Sequence, residues 1–242
     1  MQLKDGMLLI APYFWGIFFI MDITLKKELI AYLSQYVTEN KKEKIDSIVK
    51  DRTRHFSIVL EDVFQSYNAS AIIRSAECFG VQDIHIVEKL NKFDPCASIS
   101  KGASKWIDFY RYKKIDYCVK DLKEKGYKIV ATTPHTKSCF LHELDIKQKT
   151  ALVFGNEAVG LSKKALDLAD EFVTIPMVGF TESFNISVSV AICLYDIIQR
   201  LRSSNINWRL SEQDTIDVML SWIKKVVPAS EALERKFLED KN

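Results

Sequence analysis

Glycine is scarce in this 242-residue chain: eight in all, at positions 6, 16, 80, 102, 126, 155, 160 and 179, and no two of them form a G-x-G. The dinucleotide fingerprint and the glycine turn of Rossmann-type methyltransferases both need such a pair to bring backbone close to a ligand, so both are excluded. Gly155-Asn-Glu-Ala-Val-Gly160-Leu-Ser162 has the glycine spacing of a phosphate loop, but Leu161 stands where that loop needs its lysine. ATPase and kinase chemistry fall with it. The five cysteines, at 78, 96, 118, 139 and 193, are odd in number and form no C-x-x-C pair. They read as reduced thiols rather than as zinc ligands or a disulfide framework. Four histidines, His55, His85, His135 and His142, sit in no H-E-x-x-H and no close pair, so no metal is expected. An excess of charge of one sign is missing too. Lys+Arg 34 against Asp+Glu 32 leaves +2, so any contact with a polyanion must rest on local patches.

Long apolar runs are almost absent. The exception, Met7 to Met21, is 15 residues without a charge, interrupted by Pro12 and Gly16. It is shorter than the ~20 residues that span a bilayer. The only basic residue before it is Lys4, beside Asp5, and no small-residue cleavage site follows. Met21 then opens MDITLKKELI, which reads as an ordinary protein start. Residues 1–20 are therefore expected to be a dispensable tail or an upstream start-site artefact. A signal or membrane anchor and a packed hydrophobic arm are the alternatives. The expected location is the cytoplasm, without stable membrane association.

What is present is a full complement of core formers, 48% hydrophobic and 27% charged residues. After Met21 the pattern is helical, with Leu25, Leu29, Leu33, Tyr36 and Val37 at three- and four-residue steps, then Ile45, Ile48 and Val49. From residue 57 short β-branched runs alternate with helices. Strands are predicted at 57–60, 84–87, 107–110, 128–132, 152–154 and 172–175, and helices at 68–79, 116–125, 163–169 and 185–202. Gly80 and Gly126 stand where helices end in a residue of positive φ. Ser211-Glu-Gln-Asp214 has capping-box spacing ahead of a terminal helix striped by Ile216, Leu220 and Ile223. Alternating strand and helix predicts an α/β domain with a mainly parallel sheet. The expected organisation is an apolar tail at 1–20, a helical extension at 21–55, the α/β domain at 56–202 and a second helical extension at 203–242.

Three polar clusters follow predicted strands. Asn68-Ala-Ser-Ala-Ile-Ile-Arg74 separates its Asn and Arg by six residues, about 600° of helix, so Asn68 is expected to cap the helix and Arg74 to project from its body. Phe154-Gly-Asn-Glu157-Ala-Val-Gly-Leu-Ser places an acid between two glycines after an apolar strand, a position where α/β sheets bind ligands. Ile175-Pro-Met-Val-Gly-Phe-Thr-Glu-Ser183-Phe-Asn185-Ile-Ser-Val-Ser runs into a helix start whose N–H groups can hold an adenine edge, a carboxylate or a phosphate. Each has a structural explanation alone, as a surface arginine, a tight turn and a pair of N-caps.

Taken together, N-x5-R, F-G-N-E-x-x-G-L-S and I-P-M-x-G-x-x-x-S-x-N-x-S-V resemble the three motifs of the SpoU (TrmH) family of RNA ribose 2′-O-methyltransferases, in the SPOUT superfamily. The likeness runs from about residue 55 to 202 and includes Lys101-Gly-Ala-Ser-Lys-Trp106 and Ala131-Thr-Thr-Pro134. The flanking helices resemble those of members acting on guanosine 18 in the D-loop of tRNA. The resemblance implies a C-terminal trefoil knot, S-adenosylmethionine as cofactor, and a homodimer with each site near the subunit interface. It implies catalysis by Arg74, with Asn68 holding Arg74 or its loop. Glu157 would orient the knot loops, and Ser183 and Asn185 would shape the pocket. Cofactor contacts carry over to Thr132, Gly155, Ile175 and Phe184. A guanidinium stays protonated in water and is a poor base, so clamping a phosphate and stabilising a developing alkoxide suits Arg74 better. Glu182 departs from the glutamine common in TrmH-type relatives and sets a negative charge beside the pocket, against RNA approach.

Local charge supplies candidate RNA contacts. Residues 26–54 hold eight Lys/Arg and five acids, and residues 98–114 hold five Lys/Arg and one acid among Trp106, Phe109, Tyr110 and Tyr112. Arg52, Arg54, Lys101 and Lys105 are the candidate phosphate contacts, with the aromatics either stacking on bases or packing on the sheet. The leading expectation is 2′-O-methylation of a tRNA ribose. The alternatives are a ribosomal RNA ribose and a non-catalytic RNA-binding protein on the same scaffold.

Overall fold

A computed structural model describes residues 21–134 and 139–241, together with the backbone of Met7–Leu8. Residues 9–20 of the Met7–Met21 run, and His135, lie outside the described residues. In chain order the elements are β1 (Met7–Leu8), α1 (Ile23–Ser34), α2 (Glu39–Val49), β2 (Phe56–Glu61), α3 (Ser66–Cys78), β3 (Asp83–Val87), β4 (Asp108–Tyr112), α4 (Ile115–Glu124), β5 (Lys128–Thr132), β6 (Cys139–Phe140), β7 (Thr150–Phe154), α5 (Lys163–Leu168), β8 (Glu171–Thr174), α6 (Ile186–Arg202), α7 (Glu212–Val226) and α8 (Ser230–Glu239). Thr53–Trp208 forms one compact unit, and the helices before and after it form another.

The first unit is an α/β sheet of order β1-β4-β3-β2-β7-β5-β8-β6, parallel throughout except for β1 at its edge. The central strands are apolar on both faces because helices cover both. Ile58, Leu60, Ile84, Ile86, Leu152 and Phe154 face Ile72, Ile73 and Ala76 of α3 and Val190, Leu194 and Ile197 of α6. The alternate residues Val59, Val87, Ile129, Ala151 and Val153 face Cys118, Val119 and Leu122 of α4. Gly80 and Gly126 close α3 and α4 at φ 81° and 80°, a region where a Cβ is strained.

Polar side chains are buried against β3 and β4 of this unit. The Arg54 guanidinium donates to Asp83 (3.1 Å) and Asp108 (2.8 Å) beneath the β3–β4 pair. His85 stacks on Tyr110, centroids 4.7 Å apart, with Nδ1 3.0 Å from Tyr112 Oη, which donates to Asp121 at 2.6 Å. That proton is committed to Asp121, so the His85 ring is assigned the Nδ1–H tautomer. Burial, reinforced by Lys125, pushes His85 down to about 3, leaving it neutral. Phe109 rests against Phe93, and Tyr112 is buried, so these aromatics pack on the sheet rather than offer base platforms.

The second unit packs α1, α2, α7 and α8 through Leu29, Leu33, Ile45, Val49, Ile216, Leu220, Trp222 and Phe237. Ser211 caps α7 by accepting from Asp214 N. Lys26, buried, pairs with Asp217 at 2.7 Å, and Lys224 pairs with buried Glu234 at 2.5 Å. Arg52 is 1% exposed with its guanidinium over the Trp222 ring, 5.5 Å from the centroid. The expectation of RNA contact at Arg52 and Arg54 is thereby corrected: both guanidinium groups are spent inside the protein, one on an indole face and one on two carboxylates.

Candidate active site

The chain leaves β2 for β3 and β4 on one side, then crosses to β5 on the other, and β7 slots between β2 and β5. Such a switch leaves a crevice at the carboxyl ends of the strands. A cavity of about 700 Å³ opens there, inside the range usual for small-molecule sites. Its walls come from the ends of β5, β7 and β8 and from the start of α6.

The loop after β7 is folded on itself by glycine. Asn156 and Gly160 exchange backbone hydrogen bonds at 3.0 and 2.9 Å, and Gly160 takes φ +69°. A Cβ on Gly155 would stand 2.3 Å from the Gly160 carbonyl carbon, so only glycine fits. Asn156 Oδ1 accepts from Ala158 N and Val159 N, and Asn156 Nδ2 donates to the Asp62 carbonyl. Asp62 itself holds φ 56° while its carboxylate accepts from the N–H groups of Lys89, Leu90 and Asn91. At the far end Ser162 caps α5 and is gripped by buried Glu61, which accepts from both its N–H (2.9 Å) and its hydroxyl (2.6 Å).

The Glu157 carboxylate leaves this loop and accepts from Phe64 N (3.0 Å), Gln65 N (3.2 Å) and Asn68 Nδ2 (2.9 Å). Partial burial pushes its pKa up, but the hydrogen bonds from Asn68, Phe64 and Gln65 outweigh that and hold it below the ordinary carboxylate value. Asn68 Oδ1 accepts in turn from Asn185 Nδ2 at 3.1 Å, and Asn185 Oδ1 caps α6 through Ser187 N at 2.9 Å. One chain of hydrogen bonds thus joins the β7–α5 loop, α3 and α6. Asn68 is not the N-cap of α3, a position that falls to Gln65; it sits one turn inside, where its amide faces the site.

The model of the SpoU rRNA Methylase family matches residues 55–195, the stretch that builds the sheet and this cavity. The chain belongs to the SpoU methylase family. A tRNA (guanosine(18)-2′-O)-methyltransferase of Borreliella burgdorferi is 42% identical over 213 residues, covering 88% of this chain and 97% of that protein. A 23S rRNA (guanosine-2′-O-)-methyltransferase of Shewanella oneidensis is 32% identical, covering 66% of this chain and 65% of its own. Among solved structures, the TrmH/SpoU tRNA modifying enzyme of A. aeolicus superposes with a TM-score of 0.72 at 26% identity, over 78% of this chain and 98% of that one. The SpoU methyltransferase AviRb of Streptomyces viridochromogenes, solved with AdoMet, shares the fold at a TM-score of 0.58 and 23% identity, over 65% of each chain.

In this SpoU chain, Asn68, Thr132, Gly155, Glu157, Ile175, Ser183, Phe184 and Asn185 all line the one cavity. Thr132 Oγ1 donates to Val153 O at 2.8 Å, locking the ends of β5 and β7 together. Arg74 lies apart from that lining, exposed on α3, with no hydrogen bond or ion pair among the described residues. It is not held by Asn68, whose side chain is committed to Gln65, Glu157 and Asn185. Lys101, at φ 50°, and Lys105 are exposed around the 3-10 turn Ala103–Trp106. Glu61 and Asp62 belong to none of the three motifs, and Asn156 stands in F-G-N-E without an assigned role there. A strand-end acid reads alike whether buried or solvated, and only Leu60-Glu61-Asp62 at the end of an apolar strand hinted at it.

Proposed function

We propose that this chain transfers the methyl group of S-adenosylmethionine to the 2′-hydroxyl of guanosine 18 in tRNA. The supporting observation is the joint presence of the SpoU sheet, the cavity at its switch point and near full-length similarity to a protein so named. The cavity fits the cofactor: its volume suffices, Leu161, Ile175 and Phe184 offer apolar surface to adenine, and no Lys, Arg or His stands among its described lining to repel a sulfonium. When bound, the cofactor supplies an electrophilic methyl that needs no metal.

The residues divide the remaining work. Thr132, Gly155, Ile175 and Phe184 hold the adenosine, largely through backbone groups made accessible by the tight glycine loop. Glu157, Asn68 and Asn185 keep three segments in register, so the cofactor loop and the RNA-facing helix keep one geometry. Ser183 borders the cavity mouth. Arg74, exposed and uncommitted to described partners, clamps the phosphate beside the target ribose and stabilises alkoxide character as the proton leaves. Lys101 and Lys105 contact the RNA backbone at a distance from the chemistry.

The same reading includes a trefoil knot in the C-terminal half of the sheet domain, a cytoplasmic location and a homodimer. Phe184, Val188 and Tyr195 form an exposed apolar stripe from the cavity rim along α6, the kind of surface a second copy covers. Unmodified tRNA and 23S rRNA fragments, each offered with methyl-labelled cofactor and EDTA, test the substrate. Label on tRNA alone supports the reading; label on rRNA alone transfers it to the ribosomal alternative, and RNA binding without transfer leaves a binding protein.

A further inference from the structure

The charge of the cavity wall is one-sided. Among its described lining residues there are two carboxylates, Glu157 and Glu182, and no Lys, Arg or His. Behind the loop lies a third, Glu61, buried against Ser162. Glu157 is fixed by three hydrogen bonds and holds the loop together. Glu182 is different: it is exposed to the cavity mouth and forms no hydrogen bond or ion pair with the described residues. Its charge serves no visible structural end.

We propose that Glu182 is a specificity-determining residue that makes the site prefer the sulfonium cofactor over its spent thioether. This rests on the S-adenosylmethionine reading above. In methyl transfer the sulfur–methyl bond breaks with its electron pair left on sulfur, the ribose oxygen takes the methyl, and the hydroxyl proton leaves to solvent. The cofactor thus loses one positive charge while adenosine and the amino-acid portion stay the same. A carboxylate in the wall attracts the charged form and is indifferent to the neutral one, so product is released without weakening adenosine contacts. The magnitude is set by exposure: a solvent-accessible charge pair changes an equilibrium constant a few-fold, and salt screens it.

The test is titration calorimetry of the full chain with S-adenosylmethionine, S-adenosylhomocysteine and sinefungin, whose amine carries a positive charge without a transferable methyl. In Glu182→Gln the two cations should bind about three- to fivefold more weakly, with S-adenosylhomocysteine within twofold of the parent. In Glu182→Lys the loss for the cations should exceed tenfold while the thioether stays near the parent value. The difference should shrink from 50 to 500 mM salt. Equal weakening of all three compounds would make Glu182 structural, and unchanged affinity for the cations would remove it from recognition; either overturns the proposal while leaving the cofactor assignment intact. A parent chain that binds none of the three overturns the cofactor assignment and this proposal with it.

Discussion

Asn68 concentrates more of the site's hydrogen bonding in one side chain than any single motif residue suggested. Its amide nitrogen serves Glu157 and its oxygen serves Asn185, so removing it takes one of three donors from the carboxylate and an acceptor from the exposed Asn185 amide. Asn68→Ala should cost about 0.5–1.5 kcal/mol of stability, the usual net worth of a hydrogen bond whose partners keep other donors or water, read from urea unfolding. The Glu157 carboxyl should also titrate higher than in the parent, followed by carbon-detected NMR, since its principal side-chain donor is gone. The sign follows from the depressed folded-state pKa: the contribution of Glu157 is present above the ordinary carboxylate range and is lost as pH falls through the folded value. An unchanged Glu157 titration would place the depression on the backbone donors alone. On the proposed function Arg74 belongs to chemistry rather than to architecture, since it is exposed and makes no hydrogen bond or ion pair among the described residues. Arg74→Ala should lower single-turnover methyl transfer about a hundredfold, roughly 2.7 kcal/mol, with cofactor affinity within a few-fold. Arg74→Lys should restore little, because an ammonium lacks the planar fork. Near-normal transfer in the alanine variant would remove Arg74 from the reaction.

At the scale of the element, the Gly155–Ser162 loop and the His85 strand make the sharpest claims. Gly155→Ala puts a methyl against backbone rather than against a movable side chain, so the loop must open. A loss of cofactor affinity of about tenfold or more, with about 1–3 kcal/mol of stability, is expected from calorimetry and unfolding. His85 in β3 stays neutral when folded and charges on unfolding, so the unfolded chain binds the extra proton between pH about 3 and the ordinary histidine value. Stability should therefore fall as pH drops from 7 toward 4, by at most about 1.4 kcal/mol per pH unit from this residue. His85→Phe should flatten that slope, and an unchanged slope would assign it to carboxylates. The legibility of elements followed the same physics. Residues 128–132 matched the observed β5 at both ends because Gly126 and Pro134 bracket an apolar run. β4 ran two residues further than its pattern, since Arg111 reads as a stop yet is neutralised by Glu88 at 2.6 Å. The two-residue β6 is too short for any period. α8 was hidden because its inward stripe includes Glu234, an acid made tolerable by Lys224. The motif residues lining the cavity were readable from one sequence; Arg52 and Arg54 were misread because a sequence shows charge and not burial.

For the whole molecule, the surface available to RNA is smaller than the count of basic residues implies. Lys101 and Lys105 are exposed, while Arg52 and Arg54 are internal. Replacing each of the two lysines by alanine should reduce the slope of log affinity for tRNA against log salt by about 0.7–1. Arg54→Ala should instead destabilise the fold by leaving Asp83 and Asp108 unpaired, about 3–5 kcal/mol, with the salt slope of the folded fraction unchanged. A slope altered by Arg54→Ala and not by the lysines would reverse this assignment of surfaces. If one ribose oxygen of tRNA receives the methyl group, as proposed, changing only that oxygen abolishes transfer. Two otherwise identical unmodified tRNA transcripts, one with guanosine 18 and one with 2′-deoxyguanosine at that position, are offered with methyl-labelled cofactor under single-turnover conditions. Near-stoichiometric label on the first and none on the second is expected. Equal label on both, or none on either while cofactor and tRNA bind, would contradict it.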